Sequence, residues 1–135
     1  MNTTKDIQIG DWLLDVNGLP KRVEEIYDDS VALGSVLNHM STVKPIPITP
    51  EILEKNGFDL TYETVARKVF DLVLPRKNND CDYFCVMLNE RTGYGKFDYN
   101  PIDKSDRITF SSNSLCVHHL QHALSVFNIE KDIDL

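Results

Sequence analysis

Three of the four histidines stand together in His118-His119-Leu120-Gln121-His122, the densest concentration of potential chemistry in the chain. His118 and His122 are spaced i, i+4, so on a helix two imidazoles can meet one metal ion or share a proton. All three rings fall within about 100° of one another on a helical wheel. The spacing stops short of an established motif: the zinc-protease helix needs Glu where His119 stands, and no third ligand accompanies the pair. The plainer reading is a polar helix face that happens to be His-rich, either solvated or set against a sheet, and it is preferred. No catalytic residue, metal ligand or cofactor is assigned; His118, His119 and His122 stand as the weaker metal-site alternative.

The other reactive side chains form no constellation. Cys81 and Cys85 are spaced Cys-x3-Cys with no second pair; on one strand they would lie about 13 Å apart, too far to share an ion. Cys85 and Cys116 read as core residues, and a Cys–His catalytic pair, which meets only in space, is the remoter possibility. Gly93-Tyr94-Gly95 precedes a strand rather than a helix, so it reads as a hairpin turn and not a phosphate cradle; Lys96 is not a P-loop lysine. No nucleophile elbow is present. Trp12, the single tryptophan, reads as core.

The elements that must position these residues begin with short strands. Ile7-Gln8-Ile9 alternates up to Gly10. Trp12, Leu14 and Val16 share one parity and therefore one strand face. Asn17-Gly18 is a hairpin signal, and Pro20 places the start of the partner strand at Lys21, with Val23, Ile26 and Tyr27 slipping parity as at a bulge. Asp28-Asp29-Ser30 reads as a turn, Val31 to Leu37 as a third strand and Met40 to Val43 as a fourth. Strands this short, with turns this frequent, suggest a small barrel or sandwich, and residues 6–48 read as SH3-like.

Pro45, Pro47 and Pro50 each remove a backbone donor, so this stretch is an extended connector and not a central strand. A helix over 50–56 is specified at both ends: Thr49 is its N-cap, Pro50 stands at N1, and Ile48 can staple to Leu53. Gly57 supplies the left-handed position after Asn56, and Phe58 can contact Leu53. Residues 61–68 are compatible with either helix or strand, and Val69 to Leu74 reads as a strand. Arg76 to Asp80 is a polar loop. Tyr83 to Leu88 is apolar on both parities, hence a central strand; Lys96 to Tyr99 returns after a turn, Asn100-Pro101 breaks it, and Arg107 to Phe110 is another strand. Ser111 to Ser114 caps a second helix over 115–127, with Val117, Leu120, Ala123, Leu124 and Phe127 on one side. Asn128 can take the left-handed position with Ile129 packing on Leu124, and the tail from Glu130 reads as a short edge strand.

The chain has 135 residues, 41% of them hydrophobic and 26% charged, which is globular composition and enough length to fold without disulfide or metal. Net charge is −7. Five basic and nine acidic residues precede Phe58, and nine basic and twelve acidic follow, so neither part is a basic module. The pairs Lys21-Arg22, Arg67-Lys68 and Arg76-Lys77 are the nearest thing to a phosphate-binding patch and read as solvated surface. Nucleic acid is not the expected partner. The N-terminus has no apolar h-region, so no signal peptide is expected, and no apolar run reaches the roughly 20 residues that span a bilayer. Three cysteines without framework spacing fit a reducing, cytoplasmic setting.

Ile9-Gly10-Asp11-Trp12, the run Pro47 to Phe58, and Val117 to Leu124 with Ile129-Glu130 close behind resemble, as a set, a family of small uncharacterised proteins from phages and mobile elements of gut bacteria. The resemblance spans most of the chain, loosely over 61–110. It implies a phage or prophage-derived cytoplasmic protein, and it carries over neither a function nor any site residue.

The expected architecture is α+β: an SH3-like unit over 1–48, then an α+β unit over 49–135 with a short capped helix, an antiparallel sheet and a C-terminal helix, the two sharing one core. The expected function is non-enzymatic binding of a host or phage protein. The alternatives are a metal-dependent enzyme using His118, His119 and His122, and a nucleic-acid-associated regulator. The surfaces expected to meet a partner are the Asn17–Pro20 hairpin and the stretch Asn38 to Ser41. Asp28, Asp29 and Lys21 are expected to set association rate more than dissociation rate.

Overall fold

The computed structural model describes residues 3–75, 81–100, 108–112 and 114–135. The polar loop 76–80, with the pair Arg76-Lys77, and the break at Pro101 lie outside them. The described residues form an α+β structure of two five-stranded antiparallel sheets and two α-helices. The chain divides into two compact units, one of residues 1–47 with Cys116–His122 and one of Ile48–Leu115 with Ala123–Leu135. Neither sheet closes on itself, so the barrel closure expected of the N-terminal strands is not seen among the described residues.

In the first unit the strands are β1 (Trp12–Leu14), β2 (Pro20–Ile26), β3 (Ser30–Leu33), β4 (Val36–His39) and β5 (Lys44–Pro45), in the order β4-β3-β2-β1-β5. Ile7, Leu13, Val23, Val31, Leu33, Met40 and Val43 make its core. The parity of β1 is the reverse of the expected one. Leu13 is fully buried, Trp12 is half-buried with the Arg22 guanidinium 4.5 Å from its ring centroid, and Val16 is exposed. Trp12-Leu13-Leu14 is apolar on both parities, so composition does not choose the face; Leu13, without a polar edge, takes the core, and the indole keeps a cation on its face. The bulge in β2 falls between Val23 and Glu25.

The expected single strand over 31–37 is instead the β3–β4 hairpin. Gly34 and Ser35 both have positive φ, +55° and +70°, the signature of a type I′ two-residue turn. Met40–Thr42, read from sequence as strand, is a 3-10 turn leading into β5. β5 carries Pro45 at the sheet edge, where a missing donor costs nothing.

In the second unit helix α1 (Pro50–Lys55) has the expected caps. Thr49 Oγ1 accepts from the Ile52 N–H at 3.3 Å. At the other end Gly57 sits at φ +85°, the Phe58 N–H donates to the Leu53 carbonyl at 3.0 Å, and the Gly57 N–H donates to that of Glu54 at 3.2 Å, a complete Schellman motif. Strands β6 (Asp59–Glu63), β7 (Arg67–Pro75), β8 (Cys81–Asn89), β9 (Gly95–Asn100) and β10 (Ile108–Ser112) form the sheet β10-β9-β8-β7-β6, with β8 central as expected. The ambiguous stretch 61–68 is thus strand, turn and strand. Phe70, Phe84 and Phe97 are buried on one face, with the Phe84 ring 6.4 Å from Phe58 and 6.1 Å from Phe127.

Helix α2 (Val117–Val126) starts two residues later than expected. Its end is the expected one: Asn128 has φ +56° and the Ile129 N–H donates to the Leu124 carbonyl at 2.8 Å. The tail forms no strand among the described residues. It is pinned by buried Asn56, whose side chain donates to the Asp134 carbonyl and accepts from the Asp134 N–H, both at 2.8 Å.

Candidate functional site

The histidines at the start of α2 are not a solvated face. His118 is 2% exposed and its Nδ1 is buried without a hydrogen-bond partner. Its ring lies 4.2 Å from that of His119 and 5.7 Å from that of His122, centroid to centroid. Burial pushes the His118 pKa down to about 4, with His119 and His122 adding to the effect and Asp11 and Asp6 opposing it. Burial also lowers that of His119, as does His122. His119 Nδ1 accepts a hydrogen bond from the Cys116 N–H at 3.1 Å, which requires that nitrogen to be unprotonated.

His122 points to Asp11. Its Nε2 lies 2.8 and 2.9 Å from the two carboxylate oxygens of Asp11, which is 2% exposed and also accepts from the Gln8 N–H at 2.8 Å. Gln121 grips the backbone on either side of that carboxylate. Its Nε2 donates to the Gly10 carbonyl at 2.9 Å and its Oε1 accepts from the Trp12 N–H at 2.9 Å. Two consecutive side chains of α2 thus satisfy the polar groups of the segment Gly10-Asp11-Trp12 just ahead of and into β1.

A carboxylate holding one imidazole nitrogen is the arrangement that orients a catalytic histidine, and it is also a tether. His122 Nε2 is taken by Asp11 and His119 Nδ1 by a backbone amide, and among the described residues no three His, Cys, Asp or Glu side chains are placed to hold a metal ion. Asp11 and Gln121 went unassigned from sequence, because a contact across 111 residues leaves no local signal.

A concavity opens on the outer face of β2, β3 and β4. It measures about 460 Å³. The row Glu25–Ala32–Leu37, set by the register of the three strands, forms its floor, and Glu24, Tyr27, Asp29, Ser30 and Ser35 complete the lining. The bulge between Val23 and Glu25 puts two consecutive glutamates on this side. Each carboxylate is fixed by a local donor: Glu24 accepts from the Ser35 N–H at 3.1 Å, Glu25 from the Tyr27 hydroxyl, and Asp29 from the Ser30 hydroxyl at 3.0 Å. The Glu25 carboxylate raises the Tyr27 phenol pKa. Among the described residues no Lys or Arg lines the groove.

Of the surfaces expected from sequence, Asp29 lies in this groove. The stretch Asn38 to Ser41 is only partly available, since Asn38 and Met40 are buried. Asn38 faces inward because it pairs with core residue Val31. Of the basic pairs, Arg22 is stacked on Trp12 and Lys68 is paired with Glu90 at 3.0 Å. Cys81 and Cys85 are half-buried on β8 and Cys116 is buried. No family model matches the chain, and no curated protein or solved structure matches it.

Proposed function

We propose that the protein is a non-enzymatic binding module whose N-terminal strands hold a segment of another protein. The observation that carries this reading is the acid-lined groove over β2, β3 and β4, with exposed Leu37, on the last strand of the sheet, in its floor. A small apolar ligand suits a pocket lined mostly by apolar side chains; three fixed carboxylates on an open sheet face suit a polypeptide. The strand order, with a 3-10 turn before a fifth strand that pairs with the first, supports the SH3-like reading of this unit. Three cysteines without framework spacing support a reducing, cytoplasmic setting, and among the described residues no helix is long and apolar enough to cross a membrane. A phage or mobile-element origin, with a host or phage protein as the partner, belongs to the same reading and rests on the sequence resemblance alone.

The test is selection of a random peptide display library on the immobilised full chain. Enriched peptides should bind the protein and lose at least about tenfold in affinity to Leu37→Arg, a change worth about 1.4 kcal/mol. Failure to enrich above an unrelated acidic protein, or enrichment indifferent to Leu37→Arg, would reject the reading.

A further inference from the structure

We propose, on the strength of that binding reading, that the occupant of the groove is an extended, basic segment that adds to β4 as a further strand. The backbone supplies the first half of the argument. The positive φ values at Gly34 and Ser35 make a two-residue turn, so Leu33 and Val36, which flank it, are a hydrogen-bonded pair. Bonded and non-bonded pairs alternate along an antiparallel ladder. Ala32 and Leu37 are therefore a non-bonded pair, and the Leu37 N–H and carbonyl face away from β3. Among the described residues β4 is the last strand of its sheet, which leaves those groups on an open edge. Natural edges are usually blunted by Lys, Pro or a bulge. Val36–His39 has none of these, and its Val36 and Leu37 are 62% and 64% exposed.

Charge supplies the second half. Side chains of an added strand would alternate, and those continuing the row Glu25–Ala32–Leu37 would lie over the groove. There they meet Glu24 and Glu25, held by neutral donors, and Asp29, which takes the Ser30 hydroxyl on one oxygen and has His39 Nε2 3.6 Å from the other, in a lining with no Lys or Arg among the described residues. Lys or Arg at those alternate positions answers three carboxylates at once, and the exposed Tyr27 ring stands beside them for a cation to rest on. Backbone pairing gives such a site affinity, and the pockets for alternate side chains give it selectivity.

The probe is a labelled ten-residue peptide of alternating lysine and valine, titrated into the full chain. Three controls accompany it: the peptide with glutamate for lysine, the peptide with alternate backbone nitrogens methylated, and the protein carrying Glu24→Lys and Glu25→Lys with an unchanged melting temperature. Binding that weakens at least about tenfold in each control, and falls as salt rises, is the expected result. No binding up to about 1 mM peptide, or binding that ignores the charge reversal or the methylation, would overturn the inference. So would concentration-dependent dimerisation abolished by Val36→Lys, which would make a second copy the occupant. Should display selection still yield Leu37-dependent peptides in any of those cases, the binding reading survives and only the basic-strand occupant falls; should it yield none, both fall.

Discussion

His118 shows how a titratable residue is changed by its surroundings. A histidine held neutral by burial prefers the unfolded state once it is protonated, so the unfolded chain binds the proton more readily than the folded one. With a folded pKa of about 4 against an ordinary 6.5, stability is complete above pH 6.5 and declines as pH falls through 6 and 5 towards 4. The loss amounts to about 3 kcal/mol if the shift is fully expressed. Urea midpoints measured between pH 7 and 4 should fall less steeply for His118→Gln than for the parent chain, because carboxylate effects are common to both. Parallel slopes would show that this imidazole is not held neutral. The histidine signal was legible in sequence, and its meaning was not: i, i+4 spacing says which rings are neighbours, but only Asp11 and Gln121 say what they serve. Both contacts bridge distant parts of the chain, and no local pattern announces them.

At the scale of elements, two glycines separate conformational cost from steric cost. Gly57, at the end of α1, has φ +85° and open space around a would-be Cβ apart from Lys131 Nζ at 3.6 Å. Gly57→Ala should therefore cost about 1 kcal/mol, the penalty for a side chain in a left-handed conformation. Gly95 opens β9, where a Cβ would meet Leu115 Cδ1 at 2.5 Å and the Met87 carbonyl at 2.8 Å. The carbonyl belongs to the central strand and cannot step aside, so Gly95→Ala should cost about 2 kcal/mol or more. Thermal unfolding of the two variants should rank them in that order; the reverse order would mean that the turn before β9 adjusts freely. Elements with strong end signals were readable directly, as α1 and the close of α2 show through Thr49, Gly57 and Asn128. Elements chosen by packing were not. Trp12-Leu13-Leu14 could bury either face, Gly34-Ser35 lacks the Asn or Asp that usually advertises a hairpin, and the tail is held by the Asn56 side chain in place of a strand ladder.

Over the whole molecule, a net charge of −7 is spread along the chain, yet the positions that make it matter are few. Glu24, Glu25 and Asp29 converge only because a bulge in β2 and a turn after it bring them to one sheet face. The sequence places Asp29 among the partner-facing charges and a bulge in β2 but not the two glutamates on one face, since which residues a bulge turns outward is set by pairing with β3 and not by one strand. We propose that this face, and not the histidine cluster, meets a protein partner. This is tested most directly by amide hydrogen exchange of the full chain with and without a display-selected peptide. Slowed exchange at Leu37 and His39, whose amides face the open edge of β4, with residues 118–122 unchanged, is the predicted result. Protection confined to residues 118–122, with the β4 amides exchanging as before, would contradict it.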